Sequence, residues 1–110
     1  MNYTFLANLH QWVVPPEQGI LSRVLEKNDS VNVTLFGFSA GEELSGHSAP
    51  TPAILYFLDG EADLQLGEDK IHAQSGSFVY MPPMLFHTIA AKSAVRMLLI
   101  QVKPAMASAK

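Results

Sequence analysis

Two alternating runs joined by a glycine turn confine this chain to a β fold. From Glu61 to Leu66 the residues alternate, with Ala62, Leu64 and Leu66 on one face and Glu61, Asp63 and Gln65 on the other. Lys70 to Gln74 repeats the pattern, with Ile71 and Ala73 inward and Lys70, His72 and Gln74 outward. A strand sends successive side chains to opposite faces, so each run reads as a half-buried strand. Gly67-Glu68-Asp69 between them reads as a short hairpin turn carried by the glycine. Ser30 to Phe38 is β-branched and aromatic, with Val31, Val33 and Leu35 alternating against Asn32 and Thr34. Further turns are marked by Asn28-Asp29, Asp59-Gly60 and Ser75-Gly76. Short strands with turn signals at this spacing predict an all-β barrel or sandwich.

Two runs break the alternation. Ala53 to Leu58 and Ala94 to Val102 are apolar on both faces for most of their length. A strand buried on both sides needs cover beyond its own barrel core. The expected cover is a second subunit or the N-terminal segment, where Leu6, Leu9, Trp12 and Val13 supply apolar material. Val14-Pro15-Pro16 stops any helix there and sends the chain on extended. Residues 1–104 are expected to form one domain, and residues 105–110 to fray, having nothing to pack.

Composition narrows the partners. Apolar residues make up 48% of the chain against 15% charged, a surplus that points to a homodimer interface. The formal net charge of −3 and the scattering of seven Lys and Arg argue against nucleic acid. No apolar stretch approaches a membrane span, and the first residues lack a basic start followed by an apolar run. A cytoplasmic protein is the expectation. With no cysteine, disulfides, thiolate ligands and cysteine nucleophiles are excluded.

Two stretches share one grammar of glycine, spacer, histidine and apolar strand. The first runs from Gly41 through His47 to Gly60, the second from Gly76 through Pro82 to His87. Each sets an imidazole beside a bend, so the two can meet in one cavity. These stretches resemble the two motifs of the cupin superfamily, G-x5-H-x-H-x3-4-E-x6-G and G-x5-P-x-G-x2-H-x3-N. Gly41, His47 and Gly60 fit the first, and Gly76, Pro82 and His87 the second. The first motif's second histidine falls on Ala49 and its glutamate on Ala53. The second motif's inner glycine falls on Met84 and its asparagine on Ala91. The resemblance implies an all-β, double-stranded β-helix: a jelly-roll barrel of the RmlC-like cupin type. Two of that family's four usual metal ligands are missing.

The resemblance also implies a site. His47 and His87 are its candidate metal ligands, and two imidazoles with waters hold Zn²⁺, Ni²⁺ or Cu²⁺ weakly. Fe and Mn are the other divalent metals the resemblance admits; otherwise no cofactor is expected. On an alternating strand Ala53, Leu55 and Phe57 share a face, which by the resemblance points into the barrel. A pocket lined by Leu55, Phe57, Tyr80, Met81 or Met84 and the two histidines suits a small, mostly apolar ligand with one polar group. Tyr80 is a candidate hydrogen-bonding partner or acid near His87. His72, between Ile71 and Ala73, is expected at the surface, and His10 at the surface or an interface. Two functions of different class remain open. One is binding of a small ligand in the barrel interior with weak or no metal. The other is a metal-dependent oxygenase or isomerase using His47 and His87.

Overall fold

The computed structural model describes residues 1–104, so the tail after Pro104 lies outside the described residues. A 3₁₀ turn, Leu9–Gln11, is followed by nine strands: β1 Ile20–Lys27, β2 Val31–Phe38, β3 Glu43–His47, β4 Ala53–Asp59, β5 Ala62–Leu66, β6 Asp69–Ala73, β7 Phe78–Met81, β8 His87–Ala91 and β9 Val95–Val102. They pair antiparallel into a five-stranded sheet, β1-β2-β9-β4-β7, and a four-stranded sheet, β3-β8-β5-β6. Two such sheets face to face make a jelly-roll barrel. Among the described residues no helix is long and apolar enough to cross a membrane.

The connections decide which strands face each other. β2 passes to β3, β4 to β5, β6 to β7 and β8 to β9 through short links at one end, which closes the barrel there. The first residue of β2, β4 and β8 and the last of β3, β5, β7 and β9 lie at the opposite, open end. At the closed end the four-stranded sheet presents a row of alanines, Ala91, Ala62 and Ala73, in direct register. Phe38, Phe57, Val95 and Met97 of the larger sheet, all fully buried, fill the core with them. Small residues on one layer thus admit large ones from the other. Gly60 permits the β4–β5 link: its φ is 90°, and a Cβ there would run into the Ala94 carbonyl and Val95.

The predicted hairpin forms as β5 and β6, turning through Gly67 (φ 62°) with Glu68 on the ordinary side, the arrangement of a type II′ turn. Ile71 departs from expectation. It pairs with Leu64 and shares its face, but β6 is the sheet's edge, and Ile71 is 43% exposed. In β2 the parity is the surprise. Asn32, Thr34, Phe36 and Phe38 face the barrel interior, and Val31, Val33 and Leu35 face out. Leu35 is nevertheless fully buried, because the N-terminal segment lies over it. Val13 of that segment fits against Gly37, whose Cβ would overlap it, and its carbonyl accepts from Arg96 Nε at 2.7 Å. The N-terminal segment thus lies over β2 rather than over the two runs, β4 and β9, for which cover was expected; of β9 it reaches Arg96.

Candidate functional site

The site is set by a bulge. Leu44 pairs with Ile89, yet the next pair toward the open end is His47 with His87, so Ser45 and Gly46 oppose Thr88 alone. A one-residue slip moves a side chain to the other face of a strand. Without the extra residue in the count, His47 would point away from the interior; with it, His47 stands beside His87. Glycine fits the bulge because the Phe86 ring occupies the space where a Cβ at position 46 would lie. The two imidazoles make an edge contact, with ring centroids 4.3 Å apart and planes at 61°. His87 is buried and His47 exposed, so the pair spans the rim of the open end.

Both rings are held the same way. His47 Nδ1–H donates to the Ser45 carbonyl and His87 Nδ1–H to the Leu85 carbonyl, each at 3.1 Å. A carbonyl only accepts, so the proton sits on Nδ1 and a neutral ring keeps its lone pair on Nε2. Two hydrogen-bond acceptors, or two imidazole ligands, are thereby fixed at one end of the barrel. Next along the same row of the four-stranded sheet come Leu66 and, at the edge, Asp69.

Across the barrel the larger sheet presents Asn32, Gln101, Ala53 and Met81 in one register row. β2 faces β3 and β9 faces β8, so Asn32 and Gln101 lie on the strands opposite the histidines. Asn32 Nδ2 donates to Gln101 Oε1 at 3.2 Å. Asn32 Oδ1 is buried and has no partner, the sole such side-chain atom among the described residues. An unpaired buried carbonyl costs about 1–3 kcal/mol, so its place at this end is informative. Sequence reading set Asn32 apart only as one side of an alternation. A lone amide within an apolar strand was the available signal, but it needed the parity of β2 to be useful.

The rest of the expected lining changes. Leu55 and Phe57 do face inward, but both are fully buried in the core cluster rather than open to a cavity. Tyr80 is corrected outright. Met81 takes the interior position of β7, so Tyr80 projects from the outer face of the large sheet, 55% exposed. Met84 crowns the β7–β8 loop in the left-handed region (φ 70°), where its N–H donates to the Ala49 carbonyl, and its side chain points to solvent. Ala53 and Ala91 are buried, and Ala49 lies half-buried in the β3–β4 link. Two surface clefts lie elsewhere. One of about 690 Å³ opens between the N-terminal segment and β1–β2, and one of about 480 Å³ crosses the outer face of the small sheet. Neither includes His47 or His87, and the unpartnered donors and acceptors at the open end outweigh cleft size as a sign of chemistry.

His72 is on the outer surface, clamped between two carboxylates. Its Nδ1–H donates to Asp63 Oδ1 at 3.0 Å and its Nε2–H to Glu61 Oε1 at 2.9 Å. The bond to Asp63 and then that to Glu61 raise its pKa above the ordinary imidazole value. Both nitrogens are engaged, so His72 offers no ligand lone pair. His10 Nε2 lies 3.6 Å from Asp59 at the surface.

A metal is tested by the donor set. Two imidazoles fall short of the three or four protein ligands a resident metal ordinarily has. Among the described residues no group of three or more His, Cys, Asp or Glu side chains converges. The residues present do not make a complete metal site.

The family model for the cupin domain matches residues 34–101. A conserved protein of unknown function from Streptococcus pyogenes has a similar solved structure, with TM-score 0.86 and 28% identity over 96% of this chain and 93% of that one. A cupin superfamily protein from Desulfitobacterium hafniense follows, with TM-score 0.83 and 28% identity over 87% and 88% of the two chains. A cupin 2 conserved barrel domain protein from Leptotrichia buccalis is 31% identical with TM-score 0.82; the match covers 87% of this chain and 47% of that longer one. No curated protein matches the chain.

Proposed function

This chain belongs to the cupin family, and from that premise we propose that the open end of its barrel binds a small uncharged molecule rich in hydrogen-bond donors, with metal held weakly or not at all. One observation carries the reading: this end gathers three acceptors without protein partners, beside a single such donor group, the Gln101 amide nitrogen. The acceptors are Nε2 of His47, Nε2 of His87 and, from the facing sheet, Asn32 Oδ1. A hydroxyl-rich or amide ligand supplies the donors they lack. Carboxylate and phosphate ligands do not fit, because the two facing interior rows that hold these atoms carry cations only at Lys27, at their outer edge. The surrounding Leu66, Ala53 and Met81 supply apolar contact.

Nitrogen-15 resonances of the two imidazoles test this directly. At pH 8 a neutral polyol such as inositol and a primary amide such as acetamide are titrated beside acetate and phosphate. Neutral donors should shift both Nε2 resonances, and the anions neither. Saturable binding of acetate or phosphate at this pair would sink the reading.

A second reading, a metal-dependent oxygenase or isomerase, draws on the same two lone pairs. Zn²⁺ added to protein freed of metal separates the two. Millimolar binding agrees with an incomplete ligand set, whereas submicromolar binding that perturbs both rings would favour the enzyme.

A further inference from the structure

Asn32 and Gln101 are direct cross-strand partners on β2 and β9, and both belong to the interior row at the open end of the barrel. Their carboxamides differ in reach by one methylene. Asn32 Nδ2 donates to Gln101 Oε1 at 3.2 Å, and this one bond joins them rather than the two of a closed amide dimer. Each amide therefore keeps one atom without a protein partner: Oδ1 of Asn32, which is buried, and Nε2 of Gln101. Ala53 and Met81, next in the row, are apolar. The hydroxyl of Thr34, the next interior residue of β2, bonds to neither atom.

We infer that this pair reads a cis-amide edge and so selects a small lactam or cyclic ureide, a narrowing that rests on the neutral-ligand reading proposed for this end. The ring N–H donates to Asn32 Oδ1 while the ring carbonyl accepts from Gln101 Nε2. In a lactam these two groups lie side by side, coplanar and fixed, so one edge meets one acceptor and one donor at once. A vicinal diol can present the same pair, but its two hydroxyls must first be oriented, which costs affinity. An open-chain secondary amide is trans and turns the two groups to opposite sides. A carboxylate sets an acceptor against Oδ1, and an amidinium sets a donor against Nε2; each leaves a polar group unpaired. Turning both amides over exchanges their roles but still leaves one donor beside one acceptor, so the selection is the same whichever residue donates. The ring's methylenes find Ala53 and Met81, and the second N–H of a cyclic ureide remains for an imidazole Nε2.

Titrations followed through the side-chain amide resonances of Asn32 and Gln101 compare pyrrolidinone with N-methylacetamide, N-methylpyrrolidinone and acetamidine. Pyrrolidinone should shift both amides and bind about tenfold more tightly than the trans amide or the N-methylated ring, each of which forfeits one of the two bonds. Gln101→Glu keeps the bond from Asn32 Nδ2 but turns the free donor into an acceptor. It should bind pyrrolidinone about tenfold more weakly and acetamidine, with two donors on one edge, about tenfold more tightly than the parent does. A role in folding alone would not exchange one ligand for the other. Gln101→Met, close in length and without a donor, should lose pyrrolidinone and gain nothing. Equal affinity for pyrrolidinone and N-methylacetamide overturns the inference, and so does retention of the parent's pyrrolidinone affinity by both variants. If inositol moves the histidine Nε2 resonances and pyrrolidinone does not bind, the neutral-ligand reading stands and the cis-amide edge falls. Histidine resonances that no neutral ligand moves would take both away.

Discussion

At one end of the barrel Phe38, Phe57 and Met97 meet a row of three alanines; at the other, Asn32 and Gln101 share the interior with His47 and His87. The same strands run through both ends, so neither strand propensity nor sheet topology distinguishes them. What differs is satisfaction. The closed end is complete by itself, its volume matched layer to layer. The open end leaves one amide oxygen and two ring nitrogens unanswered. On the proposed reading, stability and binding are thus separated along the strand axis. Substitutions should be felt as lost stability at one end and as lost binding at the other.

The largest effect expected from that contrast is at the closed end. Phe57→Ala removes a fully buried ring from the core, and chemical denaturation should show a loss of about 3–5 kcal/mol. A loss under about 1 kcal/mol would mean that the closed end is not the tight one. Next comes an attempt to complete the open end. Ala49→His with Ala53→Glu places an imidazole and a carboxylate at the positions where the cupin motif carries them. Overpacking should cost about 1–3 kcal/mol for each change in chelator. Zn²⁺ or Ni²⁺ at a hundredfold excess over its dissociation constant should then restore about 2.7 kcal/mol, read as a thermal shift. The parent should respond weakly, and an equal response from it would mean that the wild type already holds a full set.

A smaller effect, of opposite sign, is expected at Asn32. Asn32→Leu removes the unpartnered acceptor and keeps the side chain's shape; it also removes the donor to Gln101 Oε1, but that half-buried amide can turn to water. The ligand-free protein should melt at the same temperature or gain about 1 kcal/mol, while the response of the histidine resonances to neutral donors falls away. A destabilised Asn32→Leu protein with its binding intact would erase the distinction between the ends. The smallest effect lies outside the barrel. His72 has a raised pKa because its ring donates to Asp63 and Glu61, and that contribution is fully present below the ordinary imidazole pKa. It should be lost as pH rises through the raised value. Asp63 mirrors this: its pKa is lowered first by the bond to His72, so its share disappears as pH falls through the depressed value. The clamp is solvent-exposed, so the shift should be slight. Melting curves of His72→Gln should show less change than the parent's from neutral to mildly alkaline pH, with no change in binding at the open end.

The β5–β6 hairpin was legible because everything that specifies it is local: alternation, one glycine and adjacent pairing. The histidine pair was legible for another reason, since its glycine-spaced motifs mark both strands and the resemblance supplies their meeting. Tyr80 was not, because the side a residue takes in β7 is fixed by Met81 filling the core, a long-range fact. The same holds for Val31, Val33 and Leu35. Alternation separates them from Asn32 and Thr34, but a distant segment covers the outer set, so apolar character ceased to mean interior. Asn32 was hidden by that inversion.

The bulge at Ser45–Gly46 has a consequence for how such a chain is read. His47 holds its place by the residue opposite it, not by its ordinal along β3. Shortening the strand by either bulged residue would leave His47 facing His87 with regular pairing, whereas straightening the bulge at constant length would turn the imidazole outward. A gap at this point between two homologous sequences therefore need not signal a lost ligand. Two strands of equal length and matching letters can still present different groups to the cavity. Here the address of a candidate site residue is written across the sheet, and alternation along its own strand does not give it.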